Sequence, residues 1–113
     1  MKGTGANMIN VGVIGYGYWG PTVARNFHSC QGVKLTSVSD ISEKCLKVAE
    51  TRYPFIKGYK NHEELIRSKD VDVVAVVTPA FEHYELTRKA LENGKQVFVE
   101  KPFYVGGRGV RGL

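Results

Sequence analysis

The sequence lacks the features of secreted disulfide scaffolds and of membrane proteins. It has only two cysteines in 113 residues, Cys30 and Cys45, and no C-x-x-C pair. Its longest apolar run, residues 73–77, is far shorter than the roughly 20 residues that span a bilayer. No apolar stretch follows Lys2, so no secretory signal is visible. These absences predict a cytoplasmic protein with free thiols, no membrane contact and no metal site.

Acidic residues are fewer than basic ones, which raises the question of a nucleic-acid ligand. The 16 lysines and arginines exceed the 11 acids by five, and the sequence pI is about 9.3. The lysines alternate with acids along different predicted elements, and Arg108 and Arg111 lie near the C-terminus. The sequence has no basic stripe, recognition helix or aromatic platform. It therefore predicts no nucleic-acid partner, but a solvated surface that mildly favours anions.

Short apolar runs alternate with amphipathic segments along the chain. The runs are rich in β-branched residues and predict strands, whereas the segments between them carry apolar residues at helical spacing. The predicted strands are residues 9–14, 33–39, 55–59, 72–77 and 96–99, and the predicted helices are residues 19–28, 43–52, 62–68 and 82–93. This alternation predicts an α/β fold with a doubly wound parallel sheet, the Rossmann arrangement, in the strand order 3-2-1-4-5.

Polar residues mark the starts of two predicted helices. Ser42 and Asn61 stand where N-caps are expected. In the last predicted helix, Leu86, Ala90 and Leu91 are expected to face the core.

A glycine pattern directly follows the first predicted strand and opens the first predicted helix. Gly15, Gly17 and Gly20 form G-x-G-x-x-G, and Asp40 ends the second predicted strand, twenty residues after Gly20. Together these features are the dinucleotide-binding fingerprint. In it the first glycine permits a tight turn, the second lets the backbone approach a pyrophosphate, and the third allows close helix–strand packing. The helix N-terminus then holds the phosphates, although a glycine turn that binds nothing remains the alternative.

The fingerprint also predicts which dinucleotide binds. Asp40 is expected to accept hydrogen bonds from the adenosine ribose and to repel a 2′-phosphate, which favours NAD over NADP. The residue after Asp40 is Ile41 and not an arginine that would bind that phosphate, whereas the positive charge of Lys44 could weaken the preference for NAD. The alternative is that Asp40 only caps the helix that follows Ser42.

The variable positions of the pattern carry aromatic residues. Tyr16, Tyr18 and Trp19 are candidate cofactor contacts. Packing at the domain surface is an equally good hypothesis for Tyr18 and Trp19. No role is assigned to His28 or His62, which lie at predicted helix ends.

Two stretches together resemble the N-terminal domain of the Gfo/Idh/MocA oxidoreductases. The stretches are GVIGYGYWGP and VTPAFEHYELTRKALENGKQVFVEKPF, and the resemblance covers roughly residues 8–103. The most specific element is Glu100-Lys101-Pro102, after the fifth predicted strand. The family comprises NAD(P)-dependent dehydrogenases that act mainly on sugars, nucleotide sugars and cyclitols. The resemblance implies hydride transfer between a dinucleotide and a substrate hydroxyl.

The resemblance also implies roles for single residues. Thr78 and Pro79 would line the nicotinamide side of the cleft, and His83 follows them. Lys101 would lie beside the nicotinamide and the reacting carbon and assist catalysis, with Glu100 at the cofactor end. A lysine ammonium can hydrogen-bond the reacting oxygen and relay its proton. The alternatives are a surface pair of Lys101 with Glu100, and a helix-start role for His83.

The chain departs from the family in length and at its C-terminal end. Family members are much longer, and their second domain, an α+β domain with an open antiparallel sheet, supplies most substrate contacts. Four of the last eight residues here are glycine and none is acidic. We expect a flexible extension at residues 1–7, a dinucleotide-binding domain at 8–103, and an atypical Gly/Arg-rich tail, foreign to the family, at 104–113.

These observations leave two functional hypotheses. The first is the nucleotide-binding half of an NAD(P)-dependent oxidoreductase, which would meet a sugar-like substrate only where a second domain is supplied. The second is a non-catalytic NAD-binding module or inactive fragment, in which the fingerprint binds a dinucleotide and no reaction follows.

Overall fold

Strands and helices alternate along the whole of the described chain. The structure is a computed structural model and describes residues 8–99. Its elements are β1 (Ile9–Ile14), α1 (Gly20–His28), β2 (Val33–Ser39), α2 (Glu43–Arg52), β3 (Lys57–Tyr59), α3 (His62–Arg67), β4 (Val73–Val76), α4 (Ala80–Glu92) and β5 (Gln96–Val99). Every strand pair is parallel. The sheet order β3-β2-β1-β4-β5 confirms the predicted topology.

Helices cover both faces of the sheet. Successive side chains of a strand point to opposite faces, and β1 accordingly contributes Val11 and Val13 to one core cluster and Ile14 to the other. On the first face, α1 and α2 add Val23, Ala24, Leu46 and Ala49. On the second, α3 and α4 add Leu65, Ile66, Leu86 and Ala90. Burial on both faces explains why β4 is almost purely apolar.

The predicted bounds differ from the observed ones where proline or a turn intervenes. α4 begins at Ala80 rather than at residue 82, because Pro79 has a φ of −55° and needs no amide N–H ahead of the first turn. β3 begins at Lys57 rather than at residue 55, because the amide of Ile56 donates to the carbonyl of Tyr53 and closes a turn. The other predicted elements agree to within one residue at each end.

One predicted core position is wrong. Leu91 is 58% exposed, whereas Leu86 and Ala90 are buried. Leu86 and Ala90 lie four residues apart on the same side of α4, and Leu91 is turned about 100° away from Ala90.

Both predicted N-caps are confirmed. Ser42 Oγ accepts the amide N–H of Cys45 at 3.2 Å, and Asn61 Oδ1 accepts that of Glu63 at 2.8 Å. Among the helices within residues 8–99, none is long and apolar enough to cross a membrane. The predictions for residues 1–7 and 104–113 lie outside the described residues.

Candidate dinucleotide site

The turn after β1 joins three strand ends into one crevice. Gly15 has a φ of 101°, a backbone conformation that favours glycine. Its amide donates to the carbonyl of Ser39 at the end of β2, at 2.8 Å. A Cβ added at Gly15 would lie only 3.0 Å from the carbonyl oxygen of Val77, just after β4. The turn therefore lies between β1 and β4, where the strand order of the sheet reverses direction. Open α/β sheets bind ligands at this topological switch point.

Gly20 and Gly17 are glycines for different physical reasons. A Cβ added at Gly20 would overlap the carbonyl oxygen of Gly15, so the start of α1 can approach β1 only without a side chain there. A Cβ added at Gly17 would meet no atom within 4 Å. The packing of the described chain therefore requires Gly20, but it leaves open space at Gly17. A ligand that approaches the backbone would use this space.

The N-terminus of α1 presents unpaired amides next to this space. The first bond along the helix runs from the amide of Val23 to the carbonyl of Trp19, at 3.0 Å. Pro21 has no N–H, so Gly20 and Thr22 carry the first-turn amides without a partner inside the helix. The first turn contains no acidic side chain that would compete for them. The helix dipole adds partial positive charge, so this end favours an anion such as a pyrophosphate.

Asp40 links the end of β2 to the glycine turn. It is only 9% exposed. Its Oδ2 accepts the amide N–H of Tyr16 at 2.7 Å, and its Oδ1 accepts that of Ser42 at 2.8 Å. Asp40 therefore makes the hydrogen bond to Ser42 that its alternative capping role predicts, and it also makes a second hydrogen bond to Tyr16 in the glycine turn. Each carboxylate oxygen still has a lone pair for a further donor.

Thr78 and His83 build the opposite wall, after β4. His83 Nε2–H donates to the carbonyl of Thr78 at 2.6 Å, which ties the first turn of α4 to the strand end. Thr78 Oγ1 is the only buried side-chain polar atom within residues 8–99 for which the structure shows no hydrogen-bond partner. Such an atom is costly unless a ligand or water satisfies it. The orphaned hydroxyl and the open space at Gly17 both fit a bound dinucleotide.

The aromatic residues of the glycine pattern lie in different environments. The Tyr16 side chain is 5% exposed and packs into the core, so only its backbone belongs to the turn. Tyr18 is 84% exposed, and its ring meets that of Trp19 edge-on at 5.2 Å. Trp19 is about half exposed and directly precedes the first turn of α1. Pro79 is exposed at the start of α4.

Ser39 and His62 form a pair that the sequence pattern did not predict. Ser39 Oγ and His62 Nδ1 are 2.8 Å apart, and Ser39 immediately precedes Asp40 in the chain. Burial lowers the pKa of His62 below its ordinary value, against the opposing charges of Glu82 and Asp40. The predicted strand order could have indicated this pair, because β3 lies next to β2 and the residues that follow the two strands are therefore neighbours.

The structure brings most of the predicted site residues to one edge of the sheet. Gly15, Gly17, Gly20, Asp40 and Thr78 follow β1, β2 or β4 at their carboxyl ends. Glu100 and Lys101 lie outside the described residues. Within residues 8–99, no group of three His, Cys, Asp or Glu side chains is placed to hold a metal ion.

Comparison with known proteins yields one family model and many relatives. The model described as "Oxidoreductase family, NAD-binding Rossmann fold", of the Gfo/Idh/MocA group, matches residues 9–107. An inositol 2-dehydrogenase/D-chiro-inositol 3-dehydrogenase of Shouchella clausii is 40% identical over 96 residues, which is 83% of this chain and 28% of that protein.

Two solved structures show the same fold with dinucleotides bound. The scyllo-inositol dehydrogenase of Lactobacillus casei, with bound NAD(H) and scyllo-inositol, is 28% identical with a TM-score of 0.80, over 85% of this chain and 28% of that one. A 3-ketoreductase of Actinomadura kijaniata, in complex with NADP, is 28% identical with a TM-score of 0.79, over 85% and 31%. The chain thus spans less than a third of each of these proteins.

Two glycine substitutions should separate the folding and binding roles of the turn. Gly17→Ala adds a Cβ in open space, so we expect an unchanged melting temperature and a clear loss of dinucleotide affinity. Gly20→Ala forces the helix away from Gly15, so we expect a loss of roughly 1–3 kcal/mol in the free energy of unfolding. Thermal melts and nucleotide titrations of both variants provide the check. Equal destabilisation by the two substitutions would contradict this division.

His62 should make the fold less stable in acid. Its pKa is lowered in the folded chain, so the unfolded chain takes up the proton first as pH falls. The free energy of unfolding should therefore decrease as pH falls below about 6.5. His62→Gln should remove this part of the decrease. Urea unfolding at neutral and acidic pH measures it, with His28→Gln as the matched control, and equal acid sensitivity of His62→Gln and the unaltered chain would refute it.

Proposed function

This chain belongs to the Gfo/Idh/MocA oxidoreductase family, and we propose that it forms the nucleotide-binding half of an NAD(P)-dependent dehydrogenase. The reaction would be hydride transfer between the nicotinamide and a hydroxyl-bearing carbon of a sugar, nucleotide sugar or cyclitol. The observation that carries the proposal is the open space at Gly17 beside the unpaired amides of α1. The similarity to inositol dehydrogenases supports the substrate class.

The glycine turn and α1 would hold the pyrophosphate. The amides of Gly20 and Thr22 are free to donate, and the missing side chain at Gly17 lets phosphate oxygens approach the backbone. Because Asp40 already engages the Tyr16 amide, the turn is held in shape without a ligand. Little ordering remains to be done when the ligand binds.

Asp40 would recognise the adenosine ribose and favour NAD over NADP. Its carboxylate is anchored by two backbone amides, and its spare lone pairs can accept ribose hydroxyls. A 2′-phosphate in the same place would add a second negative charge beside a nearly buried one, which is unfavourable.

The residues after β4 and β5 would serve the nicotinamide end. We assign Thr78 Oγ1 a hydrogen bond to the cofactor, which would satisfy its missing partner. His83 would act as a positioning residue, since it holds the Thr78 carbonyl, and Pro79 would line the same side. Lys101 is proposed to hydrogen-bond the reacting oxygen and relay its proton, with Glu100 beside it. The bound dinucleotide would supply the hydride acceptor.

A dinucleotide-binding module without turnover is the second candidate. It is favoured by the fact that the glycine turn, Asp40 and Thr78, which follow β1, β2 and β4, all suit the dinucleotide. Hydride transfer also needs a bound and oriented substrate. NADH oxidation with a panel of ketosugars, measured on a chain that also carries a substrate domain, distinguishes the two candidates, because only the dehydrogenase consumes NADH.

Titration with NADH and NADPH tests the nucleotide site directly. Trp19 is the only tryptophan and lies at the start of α1, so its fluorescence should be quenched saturably. We expect tighter binding of NADH than of NADPH. A chain that is folded by circular dichroism and binds neither nucleotide would refute the proposal.

Asp40→Ala should narrow the difference in affinity between the two nucleotides. It should also lower the free energy of unfolding, because the amides of Tyr16 and Ser42 lose their acceptor at about 1–3 kcal/mol for each buried group left unsatisfied. Asp70→Ala removes an exposed carboxylate as the matched control. Unchanged selectivity in a folded Asp40→Ala chain would contradict the ribose role.

Lys101→Ala separates a catalytic from a cofactor-binding role. In a chain that also carries a substrate domain, we expect a large loss of kcat with nearly unchanged NAD affinity, because the ammonium acts on the substrate oxygen. Steady-state kinetics and NADH titration measure the two effects. A comparable loss of NAD affinity would show that Lys101 only binds the cofactor.

A further inference from the structure

A histidine that the nucleotide fingerprint does not include, His62, lies near the ends of β2 and β3 at the proposed ribose position. Ser39 pairs with Tyr59 in the β2–β3 register, and the amide of Asp40 donates to the carbonyl of Tyr59 at 3.0 Å. His62 begins α3 three residues after Tyr59. Its Nδ1 lies 2.8 Å from Ser39 Oγ, so the ring is held next to the residue that precedes Asp40. This hydrogen bond thus holds His62 close enough to Asp40 for the charge of the carboxylate to act on the ring.

Two acidic groups raise the pKa of His62 through their charge. Asp40 follows β2 and Glu82 lies in the first turn of α4, and the negative charges of both favour the protonated ring. On α3 itself, Glu63 is paired with Lys89 and Arg67. From β3, the ring of Tyr59 lies under the Lys57 amine, 5.7 Å away. β1 presents the apolar side chain of Ile14 to this face.

The hydrogen bond to Ser39 can persist in both charge states of the ring. A hydroxyl can donate to the unprotonated Nδ1 or accept from Nδ1–H, so the imidazole need not move when it gains a proton. Burial favours the neutral ring and lowers its pKa, whereas the two carboxylates oppose this shift. The ring can therefore gain a proton as pH falls without leaving its place beside Ser39.

We propose that His62 determines, through its charge, how strongly Asp40 discriminates against a 2′-phosphate. The neutral ring leaves the negative charge of Asp40 unopposed, and the dinucleotide without a 2′-phosphate is preferred. The imidazolium offsets that charge and attracts the phosphate, so the affinity for NADP increases relative to the affinity for NAD. This inference rests on the proposed nucleotide site and adds a pH-dependent control of its specificity.

The experiment is calorimetric titration of the full chain with NAD and NADP between about pH 5.5 and 7.5. The oxidised nucleotides are used because they are stable in acid. We expect the ratio of the two Kd values to shift towards NADP by roughly two- to fivefold as pH falls, the size of one partly exposed charge pair. NADP binding in two buffers of different ionisation enthalpy should also reveal proton uptake.

The matched variants separate His62 from the phosphate, which itself titrates near pH 6. His62→Gln keeps a polar partner for Ser39 but no charge, so its selectivity should follow pH less steeply. Glu82→Gln removes one carboxylate that favours the charged ring and should move the change in selectivity to lower pH. His62→Lys should bind NADP better at neutral pH. Melting temperatures confirm that each variant is folded.

The outcomes distinguish this inference from the function on which it rests. If the folded chain binds neither nucleotide, the proposed function fails, and this inference fails with it. If NAD and NADP bind and the selectivity of His62→Gln follows pH as the unaltered chain does, only the role of His62 is refuted. A weaker pH dependence in His62→Gln together with a shifted one in Glu82→Gln would support it, since a purely structural role predicts neither.

Discussion

The close approach of α1 to the Gly15 carbonyl is the contact on which the site depends. The start of the helix can lie there only because Gly20 has no side chain, and the turn can form only because Gly15 adopts a positive φ. Together these two conditions place the unpaired amides of α1 beside the ends of β1 and β4. The partial charge at the helix end then acts where the sheet topology opens a crevice.

Asp40 joins this arrangement to the neighbouring strand. A carboxylate that accepts two backbone amides is both an anchor for the turn and a fixed negative charge at the end of β2, where we propose that the adenosine ribose binds. The bond to Tyr16 also explains why that residue belongs to the fingerprint loop although its ring lies in the core. Folding and the proposed ribose recognition therefore use the same side chain. The hydrogen-bonded pair of Ser39 and His62 lies next to it in the fold.

The topology and the main elements of the site follow from local patterns in the sequence. Alternating apolar runs predict the parallel sheet, and the glycine pattern predicts the close packing of α1 against the turn at Gly20. The hydrogen bond from the Tyr16 amide to Asp40 is not part of that pattern. The start of α4 was placed two residues late, because Pro79 both ends one segment and suits the entry to the next. The Ser39–His62 contact is between residues 23 positions apart and depends on the β2–β3 register, which composition and spacing do not specify. The exposure of Leu91 likewise depends on how far α4 is rotated over the sheet.

Given the proposed ribose role of Asp40, its double anchoring limits how the cofactor preference of this fold can change over evolutionary time. A substitution at Asp40 that admits a 2′-phosphate also removes the acceptor that holds the glycine turn. A gain in NADP affinity therefore lowers the stability of the turn. Changes around the carboxylate, at exposed Ile41 or at Lys44, alter the local charge without loosening the turn. Substitutions that change cofactor preference should therefore occur first at the neighbours of Asp40 and only late at Asp40 itself.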